Sequence, residues 1–168
     1  MKENLSRPVV SAIIERIKDG KKQILVMTRW KPDRDPIYSG TLEIPAGHIN
    51  AFENVYDTVK REVFEETGLT VVKFIPDVKT KVHSPGDDGA FAFSTFCCQQ
   101  QIKNGQPWVG FVFLCEVNDT APIPQEGETK DIKWMDCEVF RSIFVNNPEK
   151  IFTLQLGVFD FYFNYYKS

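Results

Sequence analysis

The chain has 168 residues, 42% of them hydrophobic, and it carries a formal net charge of −3 with an isoelectric point of about 5.5. Its length and composition suit one domain over residues 1–168 with a sizeable buried core. The small acidic excess excludes a general electrostatic attraction to nucleic acids or anionic membranes, so we expect neither as a partner.

The apolar runs and the cysteines indicate a cytoplasmic protein. No stretch approaches the ~18 consecutive apolar residues of a membrane span, and the N-terminal segment lacks the apolar run of a signal peptide. The four cysteines form no CxxC pair and the chain has only two histidines, which argues against a structural zinc site. We therefore expect reduced thiols and a cytoplasmic location.

Strand signals dominate the beginning of the chain. β-branched and aliphatic residues predict strands over 8–17 and 23–30, with a turn containing Gly20 between them. Prolines, aspartates and a glycine predict a loop over 31–40, and the short strand that follows ends at Pro45.

The best helix candidate covers residues 51–67. Asn50, as the N-cap, and Glu53 form the pattern of a capping box, and Gly68 suits a left-handed C-cap. The predicted buried face of this helix consists of apolar residues at helical spacing. They are Phe52, Val55, Tyr56, Val59 and Val63.

The rest of the chain predicts strands and two closing helices. Residues 69–75, 90–101, 108–117 and 131–136 are rich in residues that favour strands. Residues 137–144 and 148–168 predict helices, and the many aromatics of the last one indicate a core or subunit-packing face. This order of elements predicts an α/β fold in which helices pack on a mixed β-sheet.

Three glutamates on the predicted helix lie close together. At about 100° per residue, Glu62, Glu65 and Glu66 fall within an arc roughly 100° wide. Each like-charge pair destabilises a helix by about 0.2–0.5 kcal/mol, and negative charge near the C-terminus opposes the helix dipole. Such a cost is expected where a hard divalent cation, Mg²⁺ or Mn²⁺, neutralises the carboxylates. A solvated acidic face is the alternative explanation.

The segment around these glutamates carries a specific motif. Residues 47–69, GHINAFENVYDTVKREVFEETGL, resemble the Nudix box, G-x5-E-x7-R-E-U-x-E-E-x-G-U, in which U is aliphatic. The preceding residues 39–47 look like the strand that enters the box, so the chain resembles the Nudix hydrolase family over most of its length. All fixed positions match. They are Gly47, Glu53, Arg61, Glu62, Val63, Glu65, Glu66, Gly68 and Leu69.

The resemblance implies a Nudix-type α/β/α sandwich and an enzyme that hydrolyses nucleoside diphosphates linked to another group. It implies that Glu62, Glu65 and Glu66 bind Mg²⁺ or Mn²⁺ and that the backbone carbonyl of Gly47 adds a ligand. Arg61 would orient one glutamate through a charge-assisted hydrogen bond. The metal ions would neutralise the pyrophosphate and lower the pKa of the attacking water.

Two roles stay open within this resemblance. Glu53 either reaches an outer metal ion or caps the helix and complements its N-terminus. Family members differ in their general base, so we rank Glu62 or Glu65 first and Glu128, on a later loop, second. Glu126 lies two residues from Glu128 and is a substitute, although both also read as exposed loop acids.

The expected substrate is a small-molecule nucleotide. Arg29, Trp30 and Arg34 precede the box, where Nudix enzymes commonly contact substrate, so an arginine would hold phosphate and a base would stack on Trp30. Trp108 is a second candidate for stacking. His48, directly after the first glycine of the box, is expected to donate a hydrogen bond to substrate.

Pro85 follows the box in a Ser-Pro-Gly context that resembles the ADP-ribose pyrophosphatase subgroup. This favours ADP-ribose or a nucleotide sugar and leaves a homodimer open, although many members of the subgroup have a longer N-terminal region that helps form the dimer. The alternatives are a nucleoside triphosphate pyrophosphatase, acting on normal or oxidised nucleotides, and a Nudix-fold module that binds a nucleotide without cleaving it.

Overall fold

The computed structural model describes residues 5–105 and 107–165, which form an eight-stranded mixed sheet with helices packed on it. The strands are β1 (Arg7–Lys18), β2 (Lys21–Arg29), β3 (Leu42–Glu43), β4 (Ala46–His48), β5 (Val71–Ile75), β6 (Cys97–Gln100), β7 (Trp108–Val117) and β8 (Thr129–Asp136). The helices are α1 (Val55–Thr67), α2 (Cys137–Asn146) and α3 (Leu156–Tyr165).

Strand β1 lies at the centre of the sheet. It runs parallel to β7, beginning with Arg7 opposite Trp108, and its other edge pairs antiparallel with β4, where Val9 lies opposite His48. Farther along, β1 pairs with β2, which in turn pairs with β3 and β8, while β7 also pairs with β5 and β6. The pairing therefore brings β4 and the beginning of β7 to the two sides of the first residues of β1.

Both faces of the central strands are buried, because alternate side chains of a strand point to opposite faces of the sheet. On β1, Val10, Ala12 and Ile14 pack in a core with α1, whereas Ile13 packs in a second core with α2 and α3. Strands β2 and β7 alternate in the same way. This arrangement confirms the predicted α/β/α sandwich, with the helix of the box packed against one face of the mixed sheet.

Helix α1 begins later than predicted. It starts at Val55 because Asn54, and not Asn50, is the N-cap, with a side chain that accepts a backbone hydrogen bond in the first turn. Before it, Phe52 adopts a φ of 62° and is fully exposed, so the prediction that Phe52 belongs to the buried face was wrong. The prediction for Gly68 is confirmed, since this residue ends the helix in the left-handed conformation with a φ of 68°.

The later elements agree with the sequence except at two places. The predicted strand over 108–117 is confirmed as β7. The predicted strand over 90–101 was too long. Within this segment, only the residues of β6 form a strand, and the residues before β6 make isolated bridges. The predicted helix over 148–168 began too early, since two 3₁₀ turns, Pro148–Lys150 and Thr153–Gln155, precede α3. Residues 166–168 of that prediction lie outside the described residues.

Two expectations from composition also bear on the described structure. The four cysteines are free thiols, as expected. Among residues 5–105 and 107–165, no helix has the length and apolar character needed to cross a membrane.

Candidate active site

A cavity of about 520 Å³ lies where β4, α1 and the beginnings of β1 and β7 come together. It brings together most of the residues that the sequence singled out, from both before and after the box. They are Arg29, Arg34, Gly47, His48, Arg61, Glu62, Glu66 and Glu128.

Two carboxylates of α1 face this cavity. Glu62 and Glu66 are four residues apart and therefore lie one turn apart on the same side of the helix. Glu66 is only 6% exposed, and its Oε2 accepts a hydrogen bond of 3.0 Å from the Ala46 N–H. Burial, with a smaller contribution from the carboxylate of Glu43, raises the pKa of Glu66 to about 8. The pKa of Glu62 is also raised, again mainly by burial.

Gly47 is required by the close approach of Glu62. A Cβ atom at position 47 would lie 1.9 Å from Cδ of Glu62 and 2.1 Å from each of its carboxylate oxygens. The Glu62 carboxylate therefore occupies the space that a side chain at position 47 would need. The first glycine of the box thus has a steric reason, independent of any ligand.

We call the side of the cavity formed by α1 the helix side. It consists of Arg61, Glu62 and Glu66, with Glu53 and Glu65 attached through Arg61. Arg61 is the central cation of this side. Its Nε and NH2 donate to the two oxygens of Glu53 at 2.8 and 3.0 Å. Its NH1 donates to Glu62 at 2.6 Å and to Glu65 at 3.1 Å. Its NH2 also donates to the backbone carbonyl of His48 at 3.1 Å. Arg61 therefore holds three glutamates, where the family resemblance implied one.

Glu53 holds the turn that precedes α1. One of its oxygens accepts the backbone N–H of Asn50 at 3.1 Å, so this half of the predicted capping box is present although Asn54 caps the helix. The paired hydrogen bonds from Arg61 lower the pKa of Glu53 to about 2. Glu53 is therefore an anion that fixes Arg61 and joins the turn to the helix.

The opposite side of the cavity, which we call the loop side, is lined by the cations Arg29, Lys31 and Arg34 and by Glu128. Arg29, at the end of β2, donates from Nε and NH2 to Asp35 at 2.9 and 2.6 Å and from NH1 to Glu43 at 3.0 Å. Its guanidinium also lies 4.6 Å from the centre of the Phe152 ring. Glu43 is only 5% exposed, and sequence reasoning missed it, although a glutamate among the apolar residues of a short strand was the available signal.

The loop after β2 adds two cations that share one carboxylate. Lys31 Nζ lies 3.0 Å from Oε2 of Glu128, and Arg34 NH2 donates to Oε1 of Glu128 at 2.7 Å. Hydrogen bonds from Arg34 and then Lys31 lower the pKa of Glu128. Lys31 was not predicted, because a single lysine in a loop of charged residues has no distinguishing spacing.

Aromatic and apolar groups lie beyond these cations. Trp108, Phe152 and Leu154 line this cavity and also a neighbouring one of about 790 Å³, so the two cavities form one groove. Arg7 and Lys103 line the outer cavity, and neither forms an ion pair within the part of the chain that the structure describes. The groove thus continues from the carboxylates, past cations and aromatic side chains, to a second basic end.

Three of the predicted site residues lie outside the lining of the 520 Å³ cavity. Trp30 packs under Lys130, whose Nζ lies 3.2 Å from the centre of the indole ring. Pro85 is exposed in the segment between β5 and β6. Glu65 lies on the flank of α1, and its side chain is 49% exposed. The tryptophan that does line the cavity is the second stacking candidate, Trp108.

The donor chemistry of the helix side fits a hard divalent cation. Glu62 and Glu66 present carboxylate oxygens, the ligands that Mg²⁺ and Mn²⁺ prefer, in a place where burial disfavours their negative charge. No three acidic, histidine or cysteine side chains of residues 5–105 and 107–165 already converge on one position. The positive charge between Glu62 and Glu65 is the guanidinium group of Arg61.

Comparisons with known proteins identify the family of this chain. The sequence profile of the NUDIX domain matches residues 6–155. The RNA pyrophosphohydrolase of Bartonella clarridgeiae is 28% identical over 132 residues, which cover 73% of this chain and 72% of that protein. The MutT protein of Methanosarcina mazei Go1 has a similar fold, with a TM-score of 0.63 and 20% identity over 95% of this chain and 94% of that one.

A further similar structure contains a ligand. The NUDIX domain of Shewanella oneidensis NrtR, solved with ADP ribose, has a TM-score of 0.60 and 15% identity over 82% of this chain and 77% of that one. The profile match includes the whole box, the strands that build the cavity and the loop of Glu128. The chain therefore belongs to the NUDIX domain family and is a Nudix hydrolase.

Proposed function

We propose that the protein catalyses metal-dependent hydrolysis of the pyrophosphate linkage of a nucleoside diphosphate joined to another group, with ADP-ribose or a nucleotide sugar as the first candidates. The observation that carries this proposal is the charge distribution in one cavity, with Glu62 and Glu66 on one side and Arg29, Lys31 and Arg34 on the other. Such a cavity suits a polyanion that binds divalent cations at one end and cationic side chains at the other.

Each residue of the helix side has a role in this proposal. Glu62, Glu65 and Glu66, with the backbone carbonyl of Gly47, would hold Mg²⁺ or Mn²⁺. When bound, the ion supplies positive charge to the pyrophosphate and lowers the pKa of the attacking water. Arg61 keeps Glu62 and Glu65 in position, because its hydrogen bonds fix their carboxylates before substrate arrives, and the Ala46 N–H fixes that of Glu66.

The reaction forms a bond between water oxygen and phosphorus and breaks the bond from that phosphorus to the bridging oxygen. A carboxylate takes the proton of the water, and the leaving phosphate keeps the electron pair of the broken bond. Glu62 is our first choice for this base, because it lines the cavity while Glu65 lies on its flank. Glu128 is the second, because it lines the same cavity from the loop side.

The loop side and the groove would bind the rest of the substrate. Arg29 and Arg34 are placed to contact phosphate oxygens, and His48 lines the same cavity. A nucleobase would stack at Trp108, beside the Phe152 ring that also contacts Arg29. The ADP ribose bound by the Shewanella oneidensis NrtR domain supports a ligand of this kind in the fold.

A second candidate substrate is the 5′ end of an RNA. The Bartonella clarridgeiae relative is named as an RNA pyrophosphohydrolase. The groove of this chain extends past Trp108 to Arg7 and Lys103, two cations without an ion-pair partner among the described residues. A phosphodiester beyond the first nucleotide would find positive charge there, whereas the ribose end of ADP-ribose has no charge to bind.

A hydrolysis panel with Mg²⁺ and Mn²⁺ tests the proposal. The panel contains ADP-ribose, nucleotide sugars, dinucleoside polyphosphates, normal and oxidised nucleoside triphosphates, and a short 5′-triphosphate RNA. The matched control is Glu66→Gln, which keeps the shape of the side chain and removes its charge. We expect metal-dependent cleavage of a nucleoside diphosphate derivative that falls by roughly 10³-fold in the control.

The other outcomes of this panel decide between the alternatives. Preferred cleavage of the triphosphate RNA supports the second candidate, and preferred cleavage of mononucleoside triphosphates makes the protein a triphosphate pyrophosphatase. Nucleotide binding without any cleavage contradicts the proposal and identifies a non-catalytic binding module. Equal activity of wild type and Glu66→Gln removes the metal-site assignment.

A further inference from the structure

The backbone of Glu128 is fixed close to the helix side of the cavity, although its carboxylate binds the loop side. Its carbonyl accepts the N–H of Trp30 at 2.8 Å. The next residue, Thr129, is only 4% exposed, and its hydroxyl donates to the backbone carbonyl of Glu66 at 3.5 Å. The main chain is thus held between β2 and α1, so the Glu128 side chain can change partners without movement of the loop.

The three cations of the loop side differ in how firmly their anions are held. Arg29 is held by two carboxylates, with two hydrogen bonds to Asp35 and one to the buried Glu43, and its guanidinium lies over the Phe152 ring. Lys31 and Arg34 have Glu128 as their one acidic partner among the described residues. Two positive charges therefore share a single carboxylate, and that carboxylate is reachable from the cavity.

We propose that Lys31 and Arg34 form a binding site for a substrate phosphate, that Glu128 occupies this site in the free protein, and that the phosphate displaces Glu128 toward the helix side. The proposal rests on the proposed function, since it takes the phosphate to be part of the nucleotide substrate. The two phosphates of the pyrophosphate linkage together carry two negative charges, against one for the carboxylate, and they offer more oxygens to the guanidinium and ammonium groups. The exchange is therefore favourable when a phosphate enters the cavity.

The exchange links substrate binding to the state of Glu128, the second choice for the general base. In the free protein, the two cations lower the pKa of Glu128 and keep it a weak proton acceptor. After exchange, Glu128 has lost those partners, and its backbone lies beside that of Glu66 through the Thr129 contact. Lys31 thereby becomes a positioning residue, which holds Glu128 in the free protein and phosphate in the complex.

The test measures binding of inorganic pyrophosphate in EDTA by ³¹P NMR titration, so no turnover is involved. We expect Glu128→Gln and Glu128→Ala to bind pyrophosphate about tenfold more tightly than wild type, because the competing anion is gone. Glu126→Gln is the matched control, since Glu126 is an exposed glutamate of the same loop that contacts neither cation. Its affinity should equal that of wild type.

The cations supply the second half of the test. Lys31→Met should lower pyrophosphate affinity about tenfold, whereas Lys130→Met, which removes an equal charge outside the cavity lining, should leave it unchanged. Equal affinities of Glu128→Gln and Glu126→Gln, or unchanged affinity in Lys31→Met, would overturn the exchange. These results do not depend on the hydrolysis panel, so a protein that shows the exchange but cleaves nothing would contradict only the proposed function.

Discussion

The helix side of the cavity has an excess of carboxylates, whereas the cations of the loop side are matched by carboxylates that are held with different firmness. On the helix side, Arg61 is the one cation paired with Glu53, Glu62 and Glu65 among the described residues. Glu66 lies deeper and forms no ion pair with a described residue, and its pKa is raised by burial. The helix side therefore has more carboxylates than cations to neutralise them.

On the loop side, the cations and carboxylates of the described residues are equal in number. Three cations, Arg29, Lys31 and Arg34, form ion pairs with three carboxylates, Asp35, Glu43 and Glu128. Lys31 and Arg34 share the carboxylate of Glu128, whereas Arg29 binds two carboxylates of its own, those of Asp35 and Glu43. Buried carboxylates without a cation are costly on the helix side of the metal-free protein, whereas the loop side is neutral while Glu128 binds Lys31 and Arg34. A metal ion would offset the cost on the helix side, and a substrate phosphate would take the place of Glu128 on the loop side.

The largest expected effect concerns the stability of the metal-free protein at different pH values. The pKa of Glu66 is raised from 4.5 to about 8, so the folded state binds more protons than the unfolded state between these values. Stability should therefore fall as pH rises through this window, and by pH 8 the loss amounts to several kcal/mol. Glu66→Gln cannot ionise, so in EDTA it should become progressively more stable than wild type as pH rises.

Urea denaturation in EDTA between pH 5.5 and 8.5 measures this effect. Glu65→Gln is the control, because its half-exposed side chain carries no comparable burial cost. If the Glu66→Gln curve runs parallel to wild type across the range, the ionised form of Glu66 is not destabilising and the helix side has no excess of charge.

Gly47→Ala should displace the carboxylate of Glu62 without removing its charge. The new Cβ would overlap the carboxylate of Glu62, which is the far end of a flexible side chain and can move away. The fold should survive while activity falls by about 10²-fold, as expected for a displaced catalytic group. The control is Gly157→Ala, where a Cβ meets no atom within 4 Å. Steady-state rates and melting temperatures of both variants check this, and full activity of Gly47→Ala would contradict it.

Glu43→Gln and Glu128→Gln should show that the carboxylate bound to Arg29 is held more firmly than the one bound to Lys31 and Arg34. Burial raises the pKa of Glu43, but the half-buried guanidinium of Arg29 would lose a charged hydrogen-bond partner, so Glu43→Gln should lower the free energy of unfolding by about 1–2 kcal/mol. The carboxylate of Glu128 is more exposed, so its removal should change stability by less than about 0.5 kcal/mol. Denaturant titration at pH 7 compares them, and equal losses would mean that Glu128 is held as firmly as Glu43.

The smallest expected effect comes from the turn before α1. Phe52 has a φ of 62° and is fully exposed, so it bears the strain of the left-handed conformation without burying its ring. Phe52→Gly should raise the free energy of unfolding by about 1 kcal/mol. Phe52→Ala keeps the Cβ atom and should show no such gain, and equal stability of the two variants would show that the backbone is not strained.

The sequence predicted the helix side of the cavity far better than the loop side. Glu62, Glu66 and Arg61 lie within one helix, so their spacing alone places them together. The loop side is assembled from several separate segments. Arg29 and Glu128 come close because β2 pairs with β8, with Arg29 opposite Thr129, and no local pattern encodes that register.

The fold shows the same division between local and distant information. Alternating apolar residues predicted β1, β2 and β7, because buried strands leave a clear periodicity. The start of α1 was missed because Asn50 and Asn54 are both good N-caps and the turn at Phe52 decides between them. The strand over 90–101 was overextended because aromatics favour strands even where they pack without a pairing partner.

Binding of Mn²⁺, measured by electron paramagnetic resonance, tests the excess of carboxylates on the helix side most directly. The samples are wild type, Glu66→Gln and Lys31→Met, without nucleotide. We expect Glu66→Gln to lose at least about tenfold in Mn²⁺ affinity and Lys31→Met to bind as tightly as wild type or more tightly. Equal losses in the two variants, or unchanged binding in Glu66→Gln, would contradict the division of the cavity into a metal side and a phosphate side.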